Sequence, residues 1–301
     1  MSVKIQFLNG GLANQTFQYI FARYYELSHP GQKMYLDDSY FANNTVHNGY
    51  ELEKVFGLKP HMLSEVYQPD MWETILKSRR EEGKSIAQFM ADYGVPTAMI
   101  AETANHTQFN AFDGQIYPIP ANGYYPEILD MELDGIIYYH GYWINPHWFY
   151  QFEQEFRKEL SFPAITDEKN LKYLTQIKTK KSVSIHIRRG DYVTIGWAYD
   201  SQEIYVSCDL FIDAFGADWT AFVFSDDIEW CKEHCEELGL TLFEERVFVE
   251  GNVSGKNYID MQLMSECRGM IVSNSAFCYL AALLNKNKDC MLNTTKRQLT
   301  V

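Results

Sequence analysis

No apolar run in this chain approaches the roughly 18 residues that a bilayer-spanning helix requires. The opening stretch, Met1-Ser2-Val3-Lys4-Ile5-Gln6-Phe7-Leu8, alternates too much for a signal-peptide core and reads as a first strand. The protein is therefore read as cytoplasmic, with peripheral contact at the inner membrane face allowed. Basic charge is also scarce: 26 Lys and Arg stand against 40 Asp and Glu, a net charge of -14 at pH 7. That balance excludes nonspecific nucleic-acid binding, which relies on a basic face. A phosphate-bearing ligand would need a local basic spot on this acidic body. Cysteine is absent before Cys208, and the six present are Cys208, Cys231, Cys235, Cys267, Cys278 and Cys290. Cys231 and Cys235, with His234 between them, share a helix face. No second pair stands at metal-ligand spacing, so no metal is expected and the cysteines read as reduced thiols. The glycine fingerprints G-x-G-x-x-G and Gly-Lys-Ser/Thr are both missing. Their absence argues against dinucleotide oxidoreductases and P-loop enzymes.

What is present is a globular composition, 46% hydrophobic and 22% charged over 301 residues. That length allows one large domain or two ordinary ones. Aromatic residues reach 15%. Most belong to the core, and some are available to pack on the apolar faces of sugar rings.

After the first strand, Asn9-Gly10-Gly11-Leu12-Ala13-Asn14-Gln15 reads as a tight strand-to-helix turn in which Gly11 lets the backbone approach a ligand. In the helix that follows, Phe17, Ile20, Phe21 and Tyr24 form one apolar stripe. Asn14 is placed either to cap that helix or to point into a cleft. Lys33 to Asp38 reads as a second strand, and Leu52 to Tyr93 as mostly helical. The run Lys77-Ser78-Arg79-Arg80-Glu81-Glu82 within it reads as a solvated helix face. Thr97 to Pro126 lacks periodicity and reads as loops. Ile136 to His140 is a compact strand, followed by Gly141-Tyr142-Trp143 and a helix from His147 to Leu160. Pro163 and Thr166-Asp167 mark a break and a helix cap, which places a boundary between residues 1–160 and 161–301. The second half alternates a helix at Asp167–Ile177 with strands at Ser182–Ile187, Ala221–Phe224, Arg246–Val249 and Gly269–Val272. A final helix covers Ala276–Leu284. This alternation predicts an α/β fold with a parallel sheet, and ligands sit at the carboxyl ends of such strands.

Three segments follow strand ends in the second half: His186-Ile187-Arg188-Arg189-Gly190-Asp191, Ser225-Asp226-Asp227, and Ser273-Asn274-Ser275. In a parallel sheet they share one edge. Guanidinium forks there suit a diphosphate. A carboxylate, Asp226 or Asp227, can accept from the ring N–H and amino group of guanine. Ser273, Ser275 and the helix start suit phosphate oxygens. Plainer roles compete: Arg189 pairing with an acid, Asp226, Asp227 or the serines capping helices, and His186 as a core histidine.

These segments, with Asn9-Gly10-Gly11-Leu12-Ala13-Asn14-Gln15, Phe17-Gln18-Tyr19, Gly141-Tyr142-Trp143 and Asp260 to Cys267, resemble the bacterial α-1,2-fucosyltransferases of glycosyltransferase family 11. The resemblance runs in order through nearly the whole chain. Ala13 departs from it, standing where the family usually has Gly. So does Cys278-Tyr279-Leu280-Ala281, in place of an aromatic and Gly run.

The resemblance implies a GT-B enzyme, with two Rossmann-like domains facing a cleft: residues 1–160 on the acceptor side and residues 161–301 holding GDP-fucose. It implies inverting transfer of L-fucose to the 2-hydroxyl of a terminal galactose on a glycan. It implies Arg188 as the group that neutralises the departing diphosphate, and Asn14 as a residue that orients phosphate or acceptor. His186, Arg188, Asp226, Asp227, Ser273, Asn274, Ser275 and Gly11 are the expected donor-binding residues. No cofactor or divalent metal is implied, and the sequence agrees in containing no Asp-x-Asp. Rival readings are an α-1,6-fucosyltransferase and a non-catalytic nucleotide- or glycan-binding protein on the same fold. No single general base is assigned: Asp37, Asp38, His140 and the Glu residues of the first half are all candidates.

Overall fold

The apolar runs of both halves are buried as parallel strands. The computed structural model describes residues 2–42, 48–103, 115–253, 255–287 and 290–293, and the chain divides into two compact units, Met1–Ser161 and Phe162–Val301.

The first unit is built from β1 (Val3–Phe7), α1 (Leu12–Ser28), β2 (Met34–Asp37), α2 (Leu52–Phe56), α3 (Pro69–Glu82), α4 (Ile86–Asp92), β3 (Thr97–Glu102), β4 (Gln115–Ile119), β5 (Ile136–His140), α5 (Pro146–Tyr150) and α6 (Glu153–Glu159). Its sheet runs β2-β1-β5-β3-β4, with every pairing parallel. Phe7, Asp37, Glu102 and His140 therefore all stand at carboxyl ends of strands. Ile5, Phe7, Met99, Ala101, Ile136 and Tyr138 share one cluster with Ile75, Ile86 and Phe89 of α3 and α4. Burying these side chains contributes about 1.5–3 kcal/mol for each large one.

Two expectations fail here. The stretch read as loops, Thr97 to Pro126, contributes β3 and β4 (residues 104–114 lie outside the described residues). Thr-Ala-Met-Ile-Ala-Glu is buried from Ala98 onward, so it has no polar face and no alternation to read. The helix expected from His147 to Leu160 splits into α5 and α6. Phe152 leaves the helical path at φ -131° and packs its ring edgewise on Tyr24, 5.3 Å away.

The second unit comprises α7 (Glu168–Thr179), β6 (Ser182–Ile187), α8 (Gly190–Thr194), α9 (Ser201–Phe215), β7 (Thr220–Ser225), α10 (Ile228–Glu233), β8 (Glu245–Phe248), α11 (Tyr258–Glu266), β9 (Gly269–Val272), α12 (Ala276–Leu284) and β10 (Cys290–Asn293). Asp167 caps α7 by accepting from the Asn170 backbone N–H at 2.9 Å. The sheet order is β10-β9-β6-β7-β8, again all parallel. β9, β6 and β7 are neighbours, so the loops after them emerge side by side. Each unit is thus a Rossmann-like α/β layer structure, the class the sequence implied. Among the described residues no helix is long and apolar enough to cross a membrane.

Candidate active site

At the end of β6 the chain turns sharply into the short helix α8, and two aspartates lock the turn. Arg188 directs Nε and Nη2 at Oδ1 of Asp191, at 3.1 and 2.6 Å, and Nη1 at Oδ2 of Asp226, at 2.9 Å. Its guanidinium also lies 5.5 Å over the Tyr192 ring. A guanidinium has five donors, so these contacts leave one N–H on each terminal nitrogen. The side chain is 30% exposed.

Arg189 is used differently. Its guanidinium stacks 3.5 Å from the Trp230 ring centroid and pairs with Asp227 at 3.2 Å, a support for the loop rather than a second phosphate grip. The two aspartates after β7 also divide. Asp227 caps α10, accepting from the Trp230 N–H at 3.4 Å. Asp226 accepts the Arg189 backbone N–H at 2.8 Å as well as holding Arg188. A Cβ on Gly190 would come within 2.5 Å of Asp226 Oδ2, so only glycine lets the loop lie this close to that carboxylate.

One strand over, Ser273 and Ser275 are buried at the start of α12. Ser275 occupies the cap position without a side-chain cap bond, while Asn274 donates to the Trp197 carbonyl at 2.8 Å. His186 places Nδ1 3.4 Å from the Ser273 hydroxyl and its ring 5.5 Å from Phe277. Burial, aided by the Arg188 charge, pushes the His186 imidazole down to about 3, so it is neutral near pH 7. The structure thus brings His186, Arg188, Asp226, Asp227, Ser273, Asn274 and Ser275 to one edge of the second unit.

In the first unit, Gly10 rather than Gly11 takes the left-handed conformation, at φ +77°. A Cβ there would meet the Asn14 amide at 2.6 Å. Gly11 holds the cap position of α1 with no side-chain bond, so the capping role weighed for Asn14 is not used. Of the general-base candidates, Asp37 is fully buried, accepting from the Tyr138 hydroxyl at 2.6 Å and the Ser39 N–H at 3.0 Å. Asp38 is engaged by Ser64 through both backbone and hydroxyl. Burial holds His140 down to about 4, with the Arg79 charge adding to the effect, so its ring is neutral at pH 7.

Two residues escaped sequence reasoning. Arg79, assigned to a solvated face, folds in instead: its guanidinium lies 4.9 Å over Phe7 and 5.9 Å from the Tyr40 ring centroid. Glu102 accepts three backbone N–H groups, from Asn122 at 2.9 Å, Tyr142 at 2.7 Å and Trp143 at 3.2 Å. Asn122 and Trp143, at φ 62° and 57°, are the non-glycine residues with positive φ among those described. Gly141 passes its carbonyl to Gln6 and Gln18, and Gln18 in turn accepts the Asn9 N–H at 3.0 Å. Buried bonds therefore tie the end of β3 to the loops after β4 and β5, and the loop after β5 to β1 and the loop that follows it.

Cys231, Cys235 and His234 are used within their own helix turn. Cys235 donates to the Cys231 carbonyl, and His234 is bonded to the Trp230 carbonyl at 2.8 Å. Among the described residues no group of three His, Cys, Asp or Glu is gathered as metal ligands. A cavity of about 300 Å³ opens beside α1 in the first unit, but none of the sequence-assigned residues lines it, and its Arg23 is paired to Glu26 and Glu159.

Two Rossmann-like units, the second with a fixed guanidinium, hydroxyls and a helix start at adjacent strand ends, are the architecture of glycosyltransferases that use nucleotide-linked sugars. The family described as glycosyl transferase family 11 matches residues 2–298, and the chain belongs to it. It is 28% identical to an alpha-1,2-colitosyltransferase of Escherichia coli over 96% of this chain and 89% of that protein. The O-antigen biosynthesis glycosyltransferase WbnK of Escherichia coli is 24% identical, over 94% and 90%. The fold is also that of the NodZ alpha-1,6-fucosyltransferase solved after soaking with GDP-fucose. That likeness has a TM-score of 0.51 at 12% identity and covers 94% of this chain and 93% of that one.

Proposed function

We propose that this glycosyltransferase transfers L-fucose from GDP-fucose to the 2-hydroxyl of a terminal galactose, with inversion and without a divalent metal. The observation that carries the reading is Arg188, fixed by two carboxylates at the strand end yet left with free donors. As the bond from the sugar C1 to the β-phosphate oxygen breaks, negative charge grows on the diphosphate and positive charge on the ring. A preorganised guanidinium lowers the energy of that departing charge, an effect worth about 10²–10³ in rate for a comparable donor. The acceptor hydroxyl attacks C1 from the opposite face and gives up its proton as the new glycosidic bond forms. Ser273, Asn274, Ser275 and the start of α12 take the phosphate oxygens, and His186, with Asp226 or Asp227, the rest of the nucleotide. Gly11 and Asn14 complete the assignment from the first unit.

A second donor is favoured by the colitosyltransferase relative. Colitose is fucose without its 3-hydroxyl, so both GDP-sugars present the same leaving group to Arg188. The same relative's α-1,2 linkage favours the 2-hydroxyl over an α-1,6 product. The test supplies GDP-fucose or GDP-colitose with lactose, N-acetyllactosamine and galactose-ended glycans, with and without EDTA. Expected are GDP release dependent on acceptor, an α-1,2 linkage by NMR, and no effect of EDTA. GDP binding without release for any acceptor would instead mark a binding protein.

A further inference from the structure

We propose that Arg79, seated on Phe7 and Tyr40 at the carboxyl edge of the first unit's sheet, donates hydrogen bonds to hydroxyls of the saccharide acceptor. The inference rests on the transfer reading above and gives the acceptor a place in the chain. Phe7, Asp37 and His140 end three adjacent strands, β1, β2 and β5. Arg79 reaches their edge from the last turn of α3. Its guanidinium rests 4.9 Å over the Phe7 ring, and Phe7 stacks on His140 at 4.9 Å. Tyr40 meets Phe7 edgewise at 6.2 Å. Among the described residues the Ser39 hydroxyl, at 3.2 Å, is the single hydrogen-bond partner of this half-buried guanidinium. Four of its five N–H donors are then unused. Asp37, at the end of β2, is engaged by Tyr138 and Ser39.

A cation half withdrawn from water with spare donors calls for an acceptor-rich ligand. Aromatic faces beside it suit the apolar side of a sugar ring. His140, held neutral by burial, adds no competing positive charge. A pyranose, with several hydroxyls on one rim and C–H bonds on one face, answers all of these features. None of the residues assigned to the donor, Gly11 and Asn14 of the first unit included, is among the contacts of Arg79.

The test measures steady-state kinetics of Arg79→Met with the best acceptor of the panel, alongside GDP affinity by calorimetry. The expected result is an acceptor KM raised about 10- to 100-fold, with GDP affinity unchanged. An unchanged acceptor KM in folded enzyme overturns the inference. If Arg79→Met does not fold, Arg79→Lys carries the test, because it keeps the charge and loses the fork. A KM raised several-fold in Arg79→Lys supports the proposal, and a wild-type KM overturns it. If the wild-type enzyme glycosylates no panel sugar, the transfer reading is what fails. Saturation-transfer NMR of N-acetyllactosamine on wild type and variant then decides the site, a signal lost only in the variant supporting it and equal or absent signals overturning it.

Discussion

Asp226 Oδ2 lies 2.9 Å from Arg188 Nη1, on the far side of the guanidinium from Asp191. Of the two aspartates open for the base, this contact predicts that Asp226 acts on the diphosphate through Arg188 instead. Asp226→Asn keeps the shape, removes the charge and loosens the arginine, and kcat is expected to fall about 10- to 100-fold. The preference for GDP over IDP, which lacks the amino group, should survive the substitution. Competition binding with the two nucleotides checks this, and loss of the preference in Asp226→Asn would return the residue to guanine recognition.

Glu102 holds two backbones in the left-handed region, and the neutral amide cannot replace it. In Glu102→Gln an NH₂ faces N–H donors, either those of Tyr142 and Trp143 or that of Asn122. The expected loss is ~2–4 kcal/mol of stability. Denaturant unfolding of the two proteins measures it, and a change below about 0.5 kcal/mol would mean that the loops hold themselves.

The β6 loop was legible because its parts are local: Arg188 and Asp191 are three residues apart, and Ser-Asp-Asp opens a helix. Strand ends in a parallel sheet then fixed which segments would meet. The choice between Asp226 and Asp227 was not legible, since adjacent residues differ only in which way the turn aims them. Arg79 was hidden in a charge run, where periodicity cannot tell that one charge folds back across an aromatic pair. Glu102 gave no signal because its partners lie 20 to 41 residues away. β3 was missed for having no polar face at all.

Asp260 supplies a pH signature away from the reaction. Burial pushes its carboxyl up to about 7, against the opposing bond from Asn252 Nδ2 at 2.6 Å. An unfolded Asp titrates near 3.9. Between about pH 4 and 7 the folded chain keeps a proton that the unfolded chain has released, so stability falls as pH rises through that window. Above about 7 both states are ionised and the loss, up to ~4 kcal/mol, is complete. Asp260→Asn abolishes this titration. Unfolding free energies at pH 4, 5.5, 7 and 8 should show the variant gaining on wild type up to pH 7 and level beyond. A difference independent of pH contradicts the assignment.

The most direct test of the account is turnover by Arg188→Ala and Arg188→Lys with GDP-fucose and a galactoside acceptor, read as GDP release. Arg188→Ala is expected to lose about 10²–10³ in kcat with its fold intact. Arg188→Lys should be nearly as poor, because an ammonium lacks the planar fork that meets Asp191, Asp226 and a phosphate in fixed directions. Turnover near wild type in a folded Arg188→Ala enzyme would contradict the role given to this arginine.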